Sequence, residues 1–293
     1  MGNTIANRVY RDKYRLQVLD TALRGALVAE KICLVNRTEN ARIQSPFSST
    51  PTVAVQALSG AYTIADYSTF DDTLTVTDEF IVAEHVRDFE ESLTQFDLFT
   101  ARTEQMSFNV AAQIDRYVLN NLLLDAGTLT NGNQSQAYTT PAGGFTTAAN
   151  INTIFATLVS RVSGFVDAYM GNMFVVLENT DLVGLYAAGA TNGFTFADNV
   201  LNNGKVGQWM GVDIYVVRTG TFVSSTIGTK TFVNANKRVF GVKNTSTLAL
   251  PGNIKTEEKM VSGKTGMELA TFGYLGHRVW SPKKPLIVDI TLA

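Results

Sequence analysis

Between Asp88 and Gly127 runs the segment DFEESLTQFDLFTARTEQMSFNVAAQIDRYVLNNLLLDAG, which holds neither glycine nor proline before its last residue. Ser92 followed by Gln95 is a capping-box start, in which each side chain satisfies a backbone N–H at the helix entrance. Phe96, Phe99, Thr103, Met106, Val110, Ile114, Tyr117 and Asn121 step by three and four, which places one mostly apolar stripe along a single helical face. The pattern predicts a helix of about 33 residues, roughly 50 Å long at 1.5 Å per residue. A rod of that length exceeds the usual three or four turns of a globular helix, so the chain is expected to build around a spine.

What flanks the spine differs on its two sides. Ahead of it, Leu16, Leu19, Leu23, Leu27 and Val28 recur at helical spacing between Arg11 and Ile32, with Gly25 as the one weak point. From Asn36 to Thr77 the sequence mixes Pro46, Pro51 and Gly60 with short alternating runs and has no helical stripe, which predicts a long extended excursion. A closing strand over Thr73 to Phe89 sets Leu74, Val76, Phe80, Val82 and Val86 on one face. Behind the spine, a Thr/Asn/Gly-rich linker, Thr128 to Ala149, marks a change of domain. A helix over Ile151 to Val166, a strand over Met173 to Leu177, a helix over Thr180 to Ala188 and a strand after Gly211 then alternate as an α/β unit. From Thr231 the chain is strand-like to its end.

The segment NGKVGQWMGVDIYVV, with glycines at 204, 207 and 211, tests whether this unit binds a nucleotide. A dinucleotide loop needs G-x-G-x-x-G after a strand and opening a helix. Here the spacing differs and a strand follows, with Val212, Ile214 and Val216 on one face and Asp213, Tyr215 and Val217 on the other, so Gly204, Gly207 and Gly211 are read as turn residues. The segment EKMVSGKT ends like a Walker A loop at Gly263-Lys264-Thr265, but Glu258 stands where the leading glycine belongs and strand-like alternation follows. A surface β-turn accounts for it.

Charge is unevenly spread although the formal net is only −2. Asp78 to Asp125 holds ten acids and three bases, whereas residues 1–45 hold eight bases and four acids, and residues 230–284 ten bases and three acids. The ends can therefore complement the middle, within a subunit or between neighbours. The acids Asp78, Glu79, Glu84, Asp88, Glu90 and Glu91 are read as a solvated strand edge and helix start, with Glu90 and Glu91 near a helix N-terminus. Arg8, Arg11, Lys13 and Arg15 are interleaved with Tyr10, Tyr14 and the acid Asp12, a pattern that fits a solvated helix or a subunit-contact arm better than a nucleic-acid grip. Cys33 is the only cysteine and His85 and His277 are the only histidines, so no intrachain disulfide is available and the histidines alone make no metal site. No G-x-S-x-G is present, and no run of 18 apolar residues or secretory leader appears. The expectation is a cytosolically made, non-enzymatic protein with no catalytic, cofactor-binding or metal residue to assign.

The order of arm, excursion, spine, α/β unit and strand-rich return resembles the major capsid proteins of tailed bacteriophages, the Hong Kong 97 type of fold shared with encapsulins. NVAAQIDRYVLNN (Asn109 to Asn121) is similar to the end of that family's spine helix, and NMFVVLENTDLVGLY (Asn172 to Tyr186) to its axial-domain strand, turn and helix. GKVGQWMGVDIYVV and GHRVWSPKKPLIVDI resemble the glycine-rich turn with its strand and the C-terminal strand pair with a proline between. The resemblance implies an α+β fold with an N-terminal arm (1–35), an extended β loop (36–77), a peripheral domain with the spine helix (78–149), an α/β axial domain (150–229), and strands returning through the peripheral domain to the C-terminal pair (230–293). It implies a subunit that self-assembles as hexamers and pentamers into an icosahedral shell around double-stranded DNA, with DNA touched weakly and without sequence specificity. The implied location is the virion, assembled in the host cytoplasm and without membrane contact. The implied partners are other copies of the chain, a separate scaffolding protein, a portal and a decoration protein. Some members weld subunits through a lysine on the extended loop, but Ser45 to Thr77 contains none. The alternatives are an encapsulin-like nanocompartment shell and, from another class, a cytosolic α/β enzyme.

Overall fold

The computed structural model describes residues 28–37, 42–48, 69–86, 98–127, 136–164, 172–192, 205–251, 255–260 and 267–293. The helix start at Ser92 and Gln95, the arm ahead of Val28, and the acids Asp88, Glu90 and Glu91 lie outside these residues, as does the Gly263-Lys264-Thr265 turn. The spine is α2, Leu98–Gly127, preceded by a short α1, Val28–Ile32. Its 30 residues make a rod of about 45 Å. Over the part whose side chains are described, Val110, Ile114, Tyr117 and Asn121 are all buried, as the stripe requires.

Two sheets pack around the spine. The first holds β4 (Asp78–Val86), β12 (Ser246–Ala249), β13 (Lys255–Met260) and β14 (Met267–Val279), with β1 (Leu34–Asn36) added in parallel to β12. The 13-residue β14 is its axis: it pairs antiparallel with β4 along 267–275, and with β13 and then β12 along its length. The second sheet has six strands in the order β5 (Gln136–Thr139), β15 (Ile287–Thr291), β11 (Lys237–Val242), β6 (Met173–Glu178), β8 (Val212–Val217), β7 (Lys205–Trp209). Side chains alternate across it. Phe174, Val176, Tyr215, Val217, Val239 and Ile287 join the core under α2, while Val175, Leu177, Ile214, Phe240, Val288 and Ile290 pack with Ile151, Ile154, Phe155 and Leu158 of α3 (Ala148–Ser163). Helix α4 (Leu182–Asn192) shares that second core, and its Gly184 lies so close to residues 145 and 146 that an added Cβ would sit 2.2 Å from the Phe145 carbonyl oxygen.

Several local readings are revised. The closing strand is two strands, β3 (Thr69–Thr75) and β4, broken at Val76 and Thr77. β3 turns away to pair with β2 (Arg42–Ser48) in a separate antiparallel hairpin, Arg42 facing Thr75 and Ser48 facing Thr69. The linker contains β5, whose parallel partner β15 is supplied by the far end of the chain, so a stretch of weak local propensity is extended by tertiary pairing. Gly207 lies inside strand β7 at a register shift rather than in a turn. The turn is Met210-Gly211, with φ of 49° and 78°, the two positive values a two-residue hairpin of matching twist demands. β8 presents the two faces its alternation predicted. Sheet membership also crosses the segment bounds: β5 precedes residue 150, and β11 and β15 follow residue 229, yet all three lie in the sheet of β6 and β8.

Candidate functional site

Among the described residues, the arrangement that most resembles catalytic machinery is buried. His277 of β14 places Nε2 3.8 Å from Cys33 Sγ, and Asn121 of the spine places Nδ2 2.9 Å from His277 Nδ1. Cys33 and His277 are 244 residues apart in the chain, so no local motif could pair them. The geometry argues against a nucleophile. Lys230 Nζ donates to Asn121 Oδ1 at 2.9 Å, which fixes the amide so that its Nδ2 donates to the His277 carbonyl and ring nitrogen. Nδ1 therefore accepts, the ring proton sits on Nε2, and the nitrogen facing the thiol cannot take its proton. Burial pushes the Cys33 thiol up to about 12 despite the Ser246 hydroxyl on its sulfur, and burial together with the Lys230 charge holds His277 down to about 3. A neutral thiol beside a neutral imidazole, both almost wholly enclosed, is core packing. His85, in β4, is half-buried opposite Glu268 and takes no part.

Three carboxylates instead join distant parts of the chain. Asp115 on the spine accepts the backbone N–H groups of Val28 (3.1 Å) and Ala29 (2.9 Å), which ties α1 to α2. Burial raises its carboxyl to about 7 against the lowering effect of those two bonds. Asp78, at the start of β4, accepts bonds from the Tyr117 hydroxyl, from the Thr77 hydroxyl, and from the Thr229 N–H and hydroxyl, and so clamps the hairpin of β9 (Thr226–Ile227) and β10 (Lys230–Thr231) to the spine. It is 5% exposed, which corrects its reading as part of a solvated edge; of the described acids there, Glu79 is exposed and Glu84 half-buried. Burial pushes the Asp78 carboxyl up, but its four donors bring it below the ordinary carboxylate value. Asp72, midway along β3, accepts the Ser281 N–H (2.8 Å) and hydroxyl (2.7 Å) and pairs with Arg278 at 2.6 Å. Those contacts outweigh burial and hold its carboxyl below the usual range. Arg278 also lies 3.7 Å from Asp125, so part of the predicted complementarity between acidic middle and basic return is satisfied inside one subunit.

These links hold a scaffold with extended and open surfaces. Near its base the β2–β3 hairpin is fastened by Leu74, which packs with Ala249 and Trp280, and Ile43 and Val76 lean on the same small cluster. Beside it, β4 and the spine enclose an open apolar groove of about 450 Å³ lined by Phe80, Val82, Val110, Ile114, Ile227 and Leu275. No group of three or more His, Cys, Asp or Glu side chains among the described residues is placed to hold a metal ion. No described helix is long and apolar enough to cross a membrane.

The two sheets, the spine and the outlying hairpin together are the fold of phage-type capsid subunits. The capsid of the cyanophage P-SCSP1u matches with a TM-score of 0.67 and 13% identity, over 92% of this chain and 89% of that one. The capsid of a native GTA particle, computed with C5 symmetry, matches with a TM-score of 0.63 and 16% identity, over 92% and 91%. The virus-like particle from Pyrococcus furiosus matches with a TM-score of 0.60 and 11% identity, over 96% and 99%. The sequence itself matches no family model and no curated protein.

Proposed function

We propose that this chain is the structural subunit of a virion capsid, a shell built from many copies of itself. The observation that carries this reading is the fit to capsid subunits over about nine-tenths of both chains, which leaves little of either protein unaccounted for. At the finer level the shell is icosahedral, made of hexamers and pentamers around double-stranded DNA, and assembled in the host cytoplasm with a separate scaffolding protein, a portal and a decoration protein. A GTA capsid that this chain resembles was computed with C5 symmetry, which is compatible with pentamers. The peripheral and axial domains correspond to the β14-centred sheet with the spine and to the six-stranded sheet with α3 and α4. The protein does this work without catalysis.

A second reading, a protein shell enclosing cargo other than a genome, draws on the fit to the Pyrococcus furiosus virus-like particle over nearly all of both chains. Electron microscopy of the purified full chain tests the shared claim: isometric particles are expected, whereas a monomer or small oligomer under all conditions, with turnover of a nucleotide, overturns it. Nuclease treatment of particles isolated from the cells that naturally produce them then separates the two readings, since only the capsid protects DNA.

A further inference from the structure

A buried carboxylate that accepts backbone N–H groups from another segment can act as a fastener whose strength depends on proton concentration, provided that the carboxylate becomes hydrated when the segment leaves. Asp115 meets that description. It is 9% exposed, it sits on the spine, and its described polar contacts are the N–H groups of Val28 and Ala29 at the entrance of α1. The apolar side of α1, Val28, Ala29 and Ile32, covers the same site and keeps water from it. Among the described residues, the titratable group that faces it from beyond α1 is the Cys33 thiol, itself against His277 of β14, and both are neutral there; Arg116 follows it on the spine and is half-buried.

We propose that Asp115 is a pH-sensitive latch that docks α1 onto the spine helix, more firmly in mild acid than in base. Docking buries the carboxyl, and burial disfavours its charged form. With α1 docked, its value is about 7 against an ordinary value of 3.8. Undocking returns it to water, where it ionises at its ordinary value. The docked form therefore holds the proton across the interval between those values, and docking weakens as pH rises through it and levels off above. Linkage between the two values gives a loss in the docking constant of roughly thirtyfold from pH 5.5 to pH 8. The inference concerns the single subunit and stands whether or not the chain forms shells.

Cys33, the only cysteine, follows α1 directly and is 3% exposed, so its labelling reports the opening of α1. The full chain is labelled with a thiol reagent at pH 5.5, 6.5, 7.5 and 8, and each rate is divided by that of an unfolded Cys33 peptide at the same pH. This removes the thiolate's own pH dependence. The wild type is expected to show an accessible fraction that rises roughly thirtyfold across the series and then flattens. Asp115→Asn, which keeps an acceptor oxygen but cannot ionise, is expected to show a fraction independent of pH. Hydrogen exchange of the 28–33 amides in the wild type, corrected for intrinsic rates, gives the same test without a variant. A wild-type accessible fraction that does not rise with pH, or a rise that Asp115→Asn leaves in place, overturns the proposal.

Discussion

Arg238 lies 4% exposed between two carboxylates, with Nη2 3.0 Å from Glu178 and Nε 2.5 Å from Asp181. Glu178 Oε1 also accepts the N–H groups of Gly220 and Phe222, so the cluster fixes the loop after β8 to the turn after β6. Replacing Arg238 with Met removes the cation and leaves two buried acids facing each other, an arrangement that costs on the order of 3 to 5 kcal/mol. Urea denaturation of the isolated subunit should show that loss, and a midpoint unchanged from wild type would refute it. Asp72 makes a second prediction. Because its carboxyl is held below 3.8 in the folded chain, the stability it supplies is full above that value and fades as pH falls through the lower folded value. Asp72→Asn should therefore cost about 1 to 3 kcal/mol at neutral pH, with the gap to wild type narrowing in acid; a gap that does not narrow as pH falls below 3.8 would count against this account. None of these partnerships was legible in the sequence. Asp72 meets Ser281 across 209 residues and Asp78 meets Thr229 across 151, and charge or hydropathy pattern says nothing about such distances.

Local pattern carried further at the level of elements. The described spine, α3, β6 and the two faces of β8 follow directly from helical or two-residue periodicity, because a buried stripe must match the geometry of its own backbone. Where a short polar segment became a strand, as in β5, the hydrogen bonds come from β15 and the sequence near Gln136 carries no trace of them. The break between β3 and β4 escaped the same reasoning, since Leu74, Val76, Phe80 and Val82 keep one alternating phase with only Asp78 interrupting it, while the pairing partner changes from β2 to β14. That change of partner is what makes β2–β3 an outlier, with its own two-stranded sheet and a small anchoring cluster around Leu74 and Trp280. Two unaccompanied strands are marginal in water. Removing residues 49–68 and joining β2 to β3 by a short Gly/Ser turn should leave the two main cores and their unfolding transition intact. Shell formation in the same variant should fail; particles of normal size seen by electron microscopy would show that residues 49–68 are dispensable.

For the molecule as a whole, the absence of cysteine pairs and of a lysine between Ser45 and Thr77 leaves contacts between subunits to buried area, hydrogen bonds and interlocked segments. Obligate interfaces of about 2,000 to 5,000 Å² are durable without covalent links. Particles boiled in detergent without reductant should accordingly give one band at 31.9 kDa. Ladders of pentamers and hexamers that survive reduction would mean that a lysine elsewhere, such as Lys31 or Lys205, bonds to a neighbour.

The strand order of the six-stranded sheet has a bearing on synthesis. β15, built from residues 287–291, is not an edge strand but stands between β5 and β11, and Ser281 just before it closes the contact at Asp72. While residues 281–291 are still inside the ribosome, β5 has no partner, β11 offers an open edge, and the outlying hairpin lacks its clamp. A chain ordered this way cannot close its six-stranded sheet by growing from one edge to the other, so segments made early wait for one made more than a hundred residues later.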